Sequence, residues 1–246
     1  MTKLLGRYAL VTGGSRGIGA AIAKRLAADG ADVAITYERS AERAHAVVSK
    51  IEALGRRGMA IKADSADPAA VRGAVDTAAA TLGGLDILVN NAGIMRSGPL
   101  ESMTLDDIDA TLAVNVRAVL IASQAAARHM GEGGRIISIG SNLASRVPDA
   151  GMSLYSMSKS ALIAWTQGLA RDLGSRGITV NIVHPGSTDT DMNPADGVYA
   201  EAQRDRMAIP RYGKADDVAA LVALVAGPEG SSINGTGLTI DGAANA

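Results

Sequence analysis

Short runs of apolar residues recur along the chain, separated by longer stretches in which apolar residues return every three or four positions. The short runs fall at residues 8–12, 32–36, 59–62, 87–90, 135–139 and 179–184, with 238–240 last. Most show little polar alternation, as expected of parallel strands covered on both faces. Helix signals lie between them. Asp67-Pro68 reads as an N-cap followed by proline at the first helical position. Thr104-Leu105-Asp106-Asp107 has the form of a capping box, with Asp in the usual Glu or Gln place. Gly30 and Gly55 stand where helices should end. Strand–helix alternation repeated about six times predicts an α/β fold, a doubly wound parallel sheet, in one domain over residues 1–246. In such sheets ligands bind beyond the carboxyl ends of the strands. Residues 187–212 break the pattern. This long stretch rich in Asp, Pro and Met has no strand signal, and we read it as a substrate lid.

Composition narrows the chemistry. The chain has 246 residues, 47% of them hydrophobic and 20% charged, ordinary for a protein that buries a sizeable core. A net charge of −1 gives no basic footprint for nucleic acid or an anionic membrane. No cysteine is present, which excludes disulfides, thiolate metal sites and thiol nucleophiles. His45, His129 and His184 match no metal-ligand spacing, so no metal site is expected. Phe is absent and aromatics are 2%, too few for a base-stacking platform. The N-terminus meets Gly and Arg too soon for a secretory signal. No apolar run approaches the ~20 residues that span a bilayer. A cytoplasmic protein is expected.

The first candidate site follows the first strand. Gly13-Gly14-Ser15-Arg16-Gly17-Ile18-Gly19 links that strand to a helical segment. Glycine permits a tight turn and close approach of a phosphate, and the helix start points unpaired N–H groups at it. The spacing Gly-x-x-x-Gly-x-Gly differs from the common dinucleotide fingerprint, and a purely structural turn is the competing reading. Residues 13–17 also match the G-x-S-x-G nucleophile elbow formally. That elbow needs a late histidine, yet His184 is the last, and it would have to follow the first strand, with no earlier sheet for its oxyanion loop. Hydrolysis is therefore set aside.

Taken in order, TGGSRGIG at 12–19, NNAG at 90–93, Asn115, Ser141, YSMSK at 155–159 and PGSTDT at 185–190 resemble the short-chain dehydrogenase/reductase family over essentially the whole chain. Within it, the sequence is similar to oxoacyl-carrier-protein-reductase-like and carbonyl-reductase-like members, and to a subgroup described as biofilm-dispersal mediators that bind a cyclic dinucleotide. The resemblance implies a Rossmann-type sheet of about seven strands, a nicotinamide cofactor, and hydride transfer between it and a carbonyl or secondary alcohol.

The residues support that chemistry directly. Tyr155 and Lys159 are four apart and share a helix face. An unperturbed phenol, with a pKa of about 10, is a poor acid–base group near neutrality. A neighbouring ammonium and an oxidised nicotinamide would both lower it. Tyr155 is expected to protonate the carbonyl oxygen, with Lys159 also binding ribose hydroxyls by family analogy. Ser141 can donate a hydrogen bond to the same oxygen. Ser138 and Ser145 are nearby alternatives, and the loop from Ser141 to Tyr155 is one residue longer than in many relatives. The resemblance links Asn115 to a water chain from the lysine, against a plain structural hydrogen bond.

Cofactor choice is read at the end of the second strand, where an acid binds a ribose 2′-hydroxyl and arginine admits a 2′-phosphate. Tyr37 stands where NAD-specific relatives have Asp, and Arg16 and Arg39 could clamp a phosphate with Ser40 adding a hydroxyl. Glu38 complicates this, and both arginines could be ordinary surface charges. The reading is NADP(H) rather than NAD(H). The family places further cofactor contacts at Asp64 and Ser65, at Asn90, Ala92 and Gly93, at Pro185 and Gly186, and at Thr188 and Thr190. Taken singly, each could be only a turn residue or a cap.

Met192, Pro194, Val198, Tyr199, Met207 and Ile209 in the lid are expected to line an apolar pocket, or else to pack simply. Arg204, Arg206 and Arg211 could meet an anionic carrier or be solvated. The helical stretches 104–130 and 152–175 are rich in Ala and Leu, and corresponding helices form oligomer faces in the family. A homo-oligomer, tetramer or dimer, is expected. The competing function is a nucleotide-ligand-binding regulator on the same fold, with incidental catalysis. A binder has no need of a proton donor with its activating lysine.

Overall fold

A computed structural model describes residues 3–246. Seven strands, β1 (Tyr8–Val11), β2 (Asp32–Tyr37), β3 (Gly58–Lys62), β4 (Ile87–Asn90), β5 (Arg135–Ile139), β6 (Thr179–Pro185) and β7 (Gly237–Ile240), form one sheet. Their order is β3-β2-β1-β4-β5-β6-β7, and every pair is parallel. Each lies within a residue or two of its apolar run. The central strands read as unbroken apolar runs because both faces are covered: β4 and β5 are buried at every position. One face carries α1 (Gly17–Ala28), α2 (Ala41–Glu52) and α8 (Ala215–Ala226), packed through Ile22, Leu26, Val47, Val222 and Val225. The other carries α3 (Pro68–Leu82), α5 (Ala118–His129) and α6 (Ser153–Gly174), packed through Val75, Leu82, Ala122, Ala126 and Leu173. The fold is thus a doubly wound Rossmann-type sheet. Its winding reverses between β1 and β4, so a crevice opens at their carboxyl ends.

The capping signals act as expected. Asp67 accepts a hydrogen bond from the Ala69 N–H at 2.8 Å, and Thr104 and Asp107 form a reciprocal box at the start of α4 (Leu105–Leu112). One departure is informative. Between α4 and α5 the chain does not stay α-helical, but widens into a π-helical turn at Ala113–Arg117. The joined stretch Leu105–His129 is also long and apolar enough to cross a membrane, with mean hydropathy 1.4, against the expectation that no segment would be. Half of its apolar window is buried against the protein, as in a core helix.

Residues 187–212 contain more order than expected. A short helix, α7 (Ala200–Arg204), and isolated bridges of Thr188 to Gly213 and Thr190 to Asn193 hold them. Asn193 and Gln203 exchange side-chain hydrogen bonds at 2.9 and 3.2 Å.

Candidate functional site

The turn after β1 is shaped for an anion. Gly17 has φ +54°, a left-handed conformation that disfavours a side chain. A Cβ on Gly19 would stand 2.4 Å from Asn91 Nδ2 and 2.5 Å from the Gly13 carbonyl. The N-terminus of α1 has no side-chain cap, so its first N–H groups and the positive end of its dipole remain available. Two residues not singled out in the sequence anchor this turn to β4. Asn91 Nδ2 donates to the Thr12 and Gly13 carbonyls at 2.9 and 3.1 Å, and Thr12 Oγ1 accepts from the Asn91 and Ala92 N–H groups. Ser15 and Arg16 edge the turn, while Ile18 turns inward against the core.

The crevice continues across the strand ends. Thr12, Thr36, Ser65, Asn90, Ala92 and Val114 line one pocket beside the switch point. Within it Asn90 faces inward, its Nδ2 donating to Ser123 Oγ at 3.1 Å. Asp64 accepts from the Ala66 N–H at 2.8 Å, a turn-forming bond. Pro185 ends β6, and the N–H of Gly186 donates to the Ile240 carbonyl. Thr188 is buried and its hydroxyl donates to the Gly186 carbonyl at 3.0 Å. Thr190 leans over the first turn, its Cγ2 3.4 Å from where a Gly17 Cβ would be.

At the end of β2 the arginine pair differs from expectation. Arg39 extends into solvent, its side chain 87% exposed, and its Nε donates to Glu38 at 2.8 Å rather than joining Arg16. Adjacent opposite charges pair locally, so Glu38 takes up the guanidinium next to it. The cation brought to Arg16 is Arg43, from the first turn of α2. Tyr37 is half-buried against His45, and Ser40 begins α2 without using its side chain as a cap.

Beyond β5 lies a second cluster. Ser141 starts a short 3-10 turn, its hydroxyl accepting from the Leu143 N–H at 3.1 Å, and the same hydroxyl stands beside the phenol of Tyr155. Ser138 is buried within β5 and Ser145 lies exposed after the turn, so neither takes this place. Lys159 is buried one turn further along α6, donating from Nζ to the Ile139 carbonyl at 2.9 Å. Burial pulls its pKa down from 10.5 to about 8. Gly93 sits above this cluster; a Cβ there would be 3.4 Å from Asn115 Oδ1 and 3.5 Å from Lys159 Nζ.

In the protein alone, the pKa of the phenol shifts upward. Burial pushes Tyr155 above its ordinary value of 10, and the Ser141 hydrogen bond opposes this only in part. Lys159 Nζ lies 5.9 Å from the ring centre and is engaged by Ile139, so desolvation outweighs the ammonium in the protein alone.

Asn115 lies in the π-helical turn, buried, with its amide fully engaged. Oδ1 accepts from the Ile94 N–H, and Nδ2 donates to the Ile94 carbonyl, each at 2.9 Å, and to Ser158 Oγ at 3.0 Å. Ser158 in turn donates to the Tyr155 carbonyl at 2.7 Å. A π turn at a functional position is a frequent association.

The apolar side chains of residues 187–212 are arranged less like a pocket than expected. Met207 is buried, but Val198 and Tyr199 are 92% and 74% exposed. Arg204 donates to the Ala195 carbonyl, and Arg206 pairs bidentately with Asp149 of the loop before α6.

Residues 7–197 match the family model described as short chain dehydrogenase. The chain is similar to a cyclic-di-GMP-binding biofilm dispersal mediator protein of Escherichia coli K12, 47% identical with 99% of each chain covered. It is also similar to a crystal structure of a short chain dehydrogenase from Burkholderia cenocepacia in complex with NADP. That pair is 81% identical, with 99% of this chain and 100% of the other covered and a TM-score of 0.99. A blue fluorescent protein from a metagenomic library, solved with NADPH, is 56% identical over 99% of this chain and 100% of its own, with a TM-score of 0.98. The order of strands, the glycine turn at the switch point and these matches carry one conclusion, that the chain belongs to the short-chain dehydrogenase/reductase family.

Proposed function

We propose that this protein is an NADP(H)-dependent oxidoreductase that interconverts a carbonyl compound and a secondary alcohol. One observation carries the reading: the Ser141 hydroxyl stands beside the Tyr155 phenol beyond the carboxyl end of β5, with the buried Lys159 behind them. Two adjacent hydroxyls are suited to hold a single substrate oxygen. The dinucleotide fits the residues present. An uncapped helix start beside Gly17 and Gly19 suits its pyrophosphate, and the small residues Ala92 and Gly93 leave room along the strand ends. The NADP and NADPH of the two solved relatives support the phosphorylated form of the cofactor. When bound, the nicotinamide supplies or accepts the hydride.

The protein's own groups then have distinct tasks. Tyr155 is neutral at physiological pH, so its phenol can donate a proton to the developing alkoxide. Ser141 donates to the same oxygen as charge builds on it. Lys159, charged below about pH 8, favours the phenolate that remains and is placed to bind ribose hydroxyls. Asn115 and Ser158 hold Ile94 and the Tyr155 main chain in register. Residues 187–212 serve as a lid over this centre. Exposed apolar side chains on the α4–α6 face, such as Leu105, Leu112 and Met157, support a homo-oligomer.

Following NADPH absorbance with a panel of ketones, aldehydes and β-ketoesters tests the reading, and turnover of none would overturn it. A second reading, a nucleotide-ligand-binding regulator, is favoured by the similarity to the dispersal mediator. Saturable binding of cyclic-di-GMP without carbonyl turnover would support it instead.

A further inference from the structure

Asp191 sits on the lid immediately after Thr190, and two guanidinium groups converge on one of its oxygens. Its Oδ2 lies 2.5 Å from Arg43 Nη1 and 3.4 Å from Arg16 Nη1. Arg16 belongs to the glycine turn after β1 and Arg43 to the first turn of α2, just past the end of β2. Three segments distant in sequence therefore meet at the outer rim of the crevice.

The charges do not balance within this group. Two cations face one carboxylate, an arrangement better matched by a dianionic phosphate, which offers more oxygens and more charge. All three side chains remain between 51% and 58% exposed, so an incoming ligand can reach them. Hydrogen bonding and charge from Arg43, then from Arg16, hold the Asp191 carboxyl below the usual carboxylate range, so it is an anion at neutral pH. The site lies at the end of β2, where this class of sheet reads the 2′ position of the adenosine ribose. Arg39, the other candidate cation, is neutralised by Glu38.

We propose that Asp191 is an internal stand-in for the cofactor's 2′-phosphate, holding Arg16 and Arg43 together until the phosphate displaces it. The inference rests on the NADP(H) reading above. Arg43 is then the second phosphate-binding cation, and cofactor entry is coupled to the lid. Losing both guanidinium partners frees residue 191 from the rim, loosening the lid at the moment the phosphate arrives. The carboxylate also selects against a cofactor lacking the phosphate, because NAD(H) offers the arginines nothing in exchange for Asp191.

Calorimetric binding of 2′,5′-ADP and of 5′-AMP to the full chain tests this without turnover. Asp191→Asn should tighten 2′,5′-ADP about three- to tenfold and leave 5′-AMP within about twofold. Arg43→Ala should weaken 2′,5′-ADP about tenfold or more, and Arg39→Ala should change it little. In hydrogen exchange, 2′,5′-ADP should speed exchange at residues 189–193 in the unmodified protein and not in the Asp191→Asn variant. Preference for 2′,5′-ADP over 5′-AMP with no tightening in Asp191→Asn overturns the stand-in alone. If the unmodified protein binds both nucleotides equally, the NADP(H) reading fails and the inference with it.

Discussion

His184 Nδ1 lies 2.9 Å from the carbonyl oxygen of Ser141, joining the end of β6 to the residue whose hydroxyl faces Tyr155. Because the acceptor is a carbonyl, Nδ1 must carry the hydrogen. The ring occupies a slot that only glycine leaves open. A Cβ on Gly140 would stand 2.5 Å from Nδ1, and one on Gly237 would stand 2.9 Å from Nε2. His184→Ala should therefore leave a void and take away one of the two hydrogen bonds that the Ser141 carbonyl accepts, the other coming from the Ala144 N–H, destabilising the fold by about 2–4 kcal/mol. His184→Asn, which keeps a donor at a similar reach, should recover part of that loss. Urea unfolding of the two variants checks the order.

The same histidine predicts a pH dependence. Burial, joined by the nearby Lys159 charge and opposed by the Ser141 bond, lowers its pKa below 6.5. The unfolded chain then binds a proton that the folded one refuses between the lowered value and 6.5, so stability rises with pH across that window. Acidification from pH 7 should shrink the urea midpoint of the unmodified protein more steeply than that of His184→Asn. Parallel slopes would rule out the assignment.

Lys159 should shape stability at the alkaline end. Its pKa is about 8 in the fold and 10.5 when exposed, so the unfolded chain carries the extra proton between those limits. Stability contributed by this group therefore increases from pH 8 to 10.5, and Lys159→Met should remove that increment. Chemical unfolding at pH 8 and pH 10 compares the two. The lysine is charged at neutral pH, so the same substitution should also weaken nicotinamide dinucleotide binding there.

Local chemistry made much of this architecture readable in advance. The runs at 87–90 and 135–139 coincide with β4 and β5 because central parallel strands have no polar face to blur their ends. Asp67 and Thr104 announced their helices because a cap involves only residues two or three apart. What stayed hidden depends on distant partners. The π turn at Ala113–Arg117 places Asn115 against Ile94 and Ser158, contacts that no helical periodicity encodes. Arg43 looked like any charge on a solvated helix until residue 191, 148 positions away, was folded against it. Asn91 passed as part of a motif, although its amide ties the glycine turn to β4.

Tyr155→Phe keeps the ring and removes only the hydroxyl. Nothing that positions α6 is lost, since the Ser158 bond uses the Tyr155 carbonyl. Turnover should fall by at least about a thousandfold, while the dissociation constant for NADPH stays within a few-fold. Stopped-flow absorbance and fluorescence titration measure the two quantities. Retained turnover would assign the proton to another group.

The network around Asn115 separates structure from chemistry most sharply. Its amide satisfies both polar groups of Ile94 and the hydroxyl of Ser158, all inside the protein. Asn115→Ala takes the partner from both polar groups of Ile94, while Ser158 keeps its bond to the Tyr155 carbonyl, and each orphaned group costs about 1–3 kcal/mol. Ser158→Ala removes two bonds, the one from Asn115 and the one to the Tyr155 carbonyl, and leaves Ile94 held. We expect Asn115→Ala to lose several kcal/mol of stability together with most activity, and Ser158→Ala to lose about 1–2 kcal/mol. If Tyr155 is held through Ser158, the smaller variant should lower kcat more than it raises KM, because the proton donor is misplaced while the binding surface is kept. Equal changes in both would mean that Ser158 only fills space.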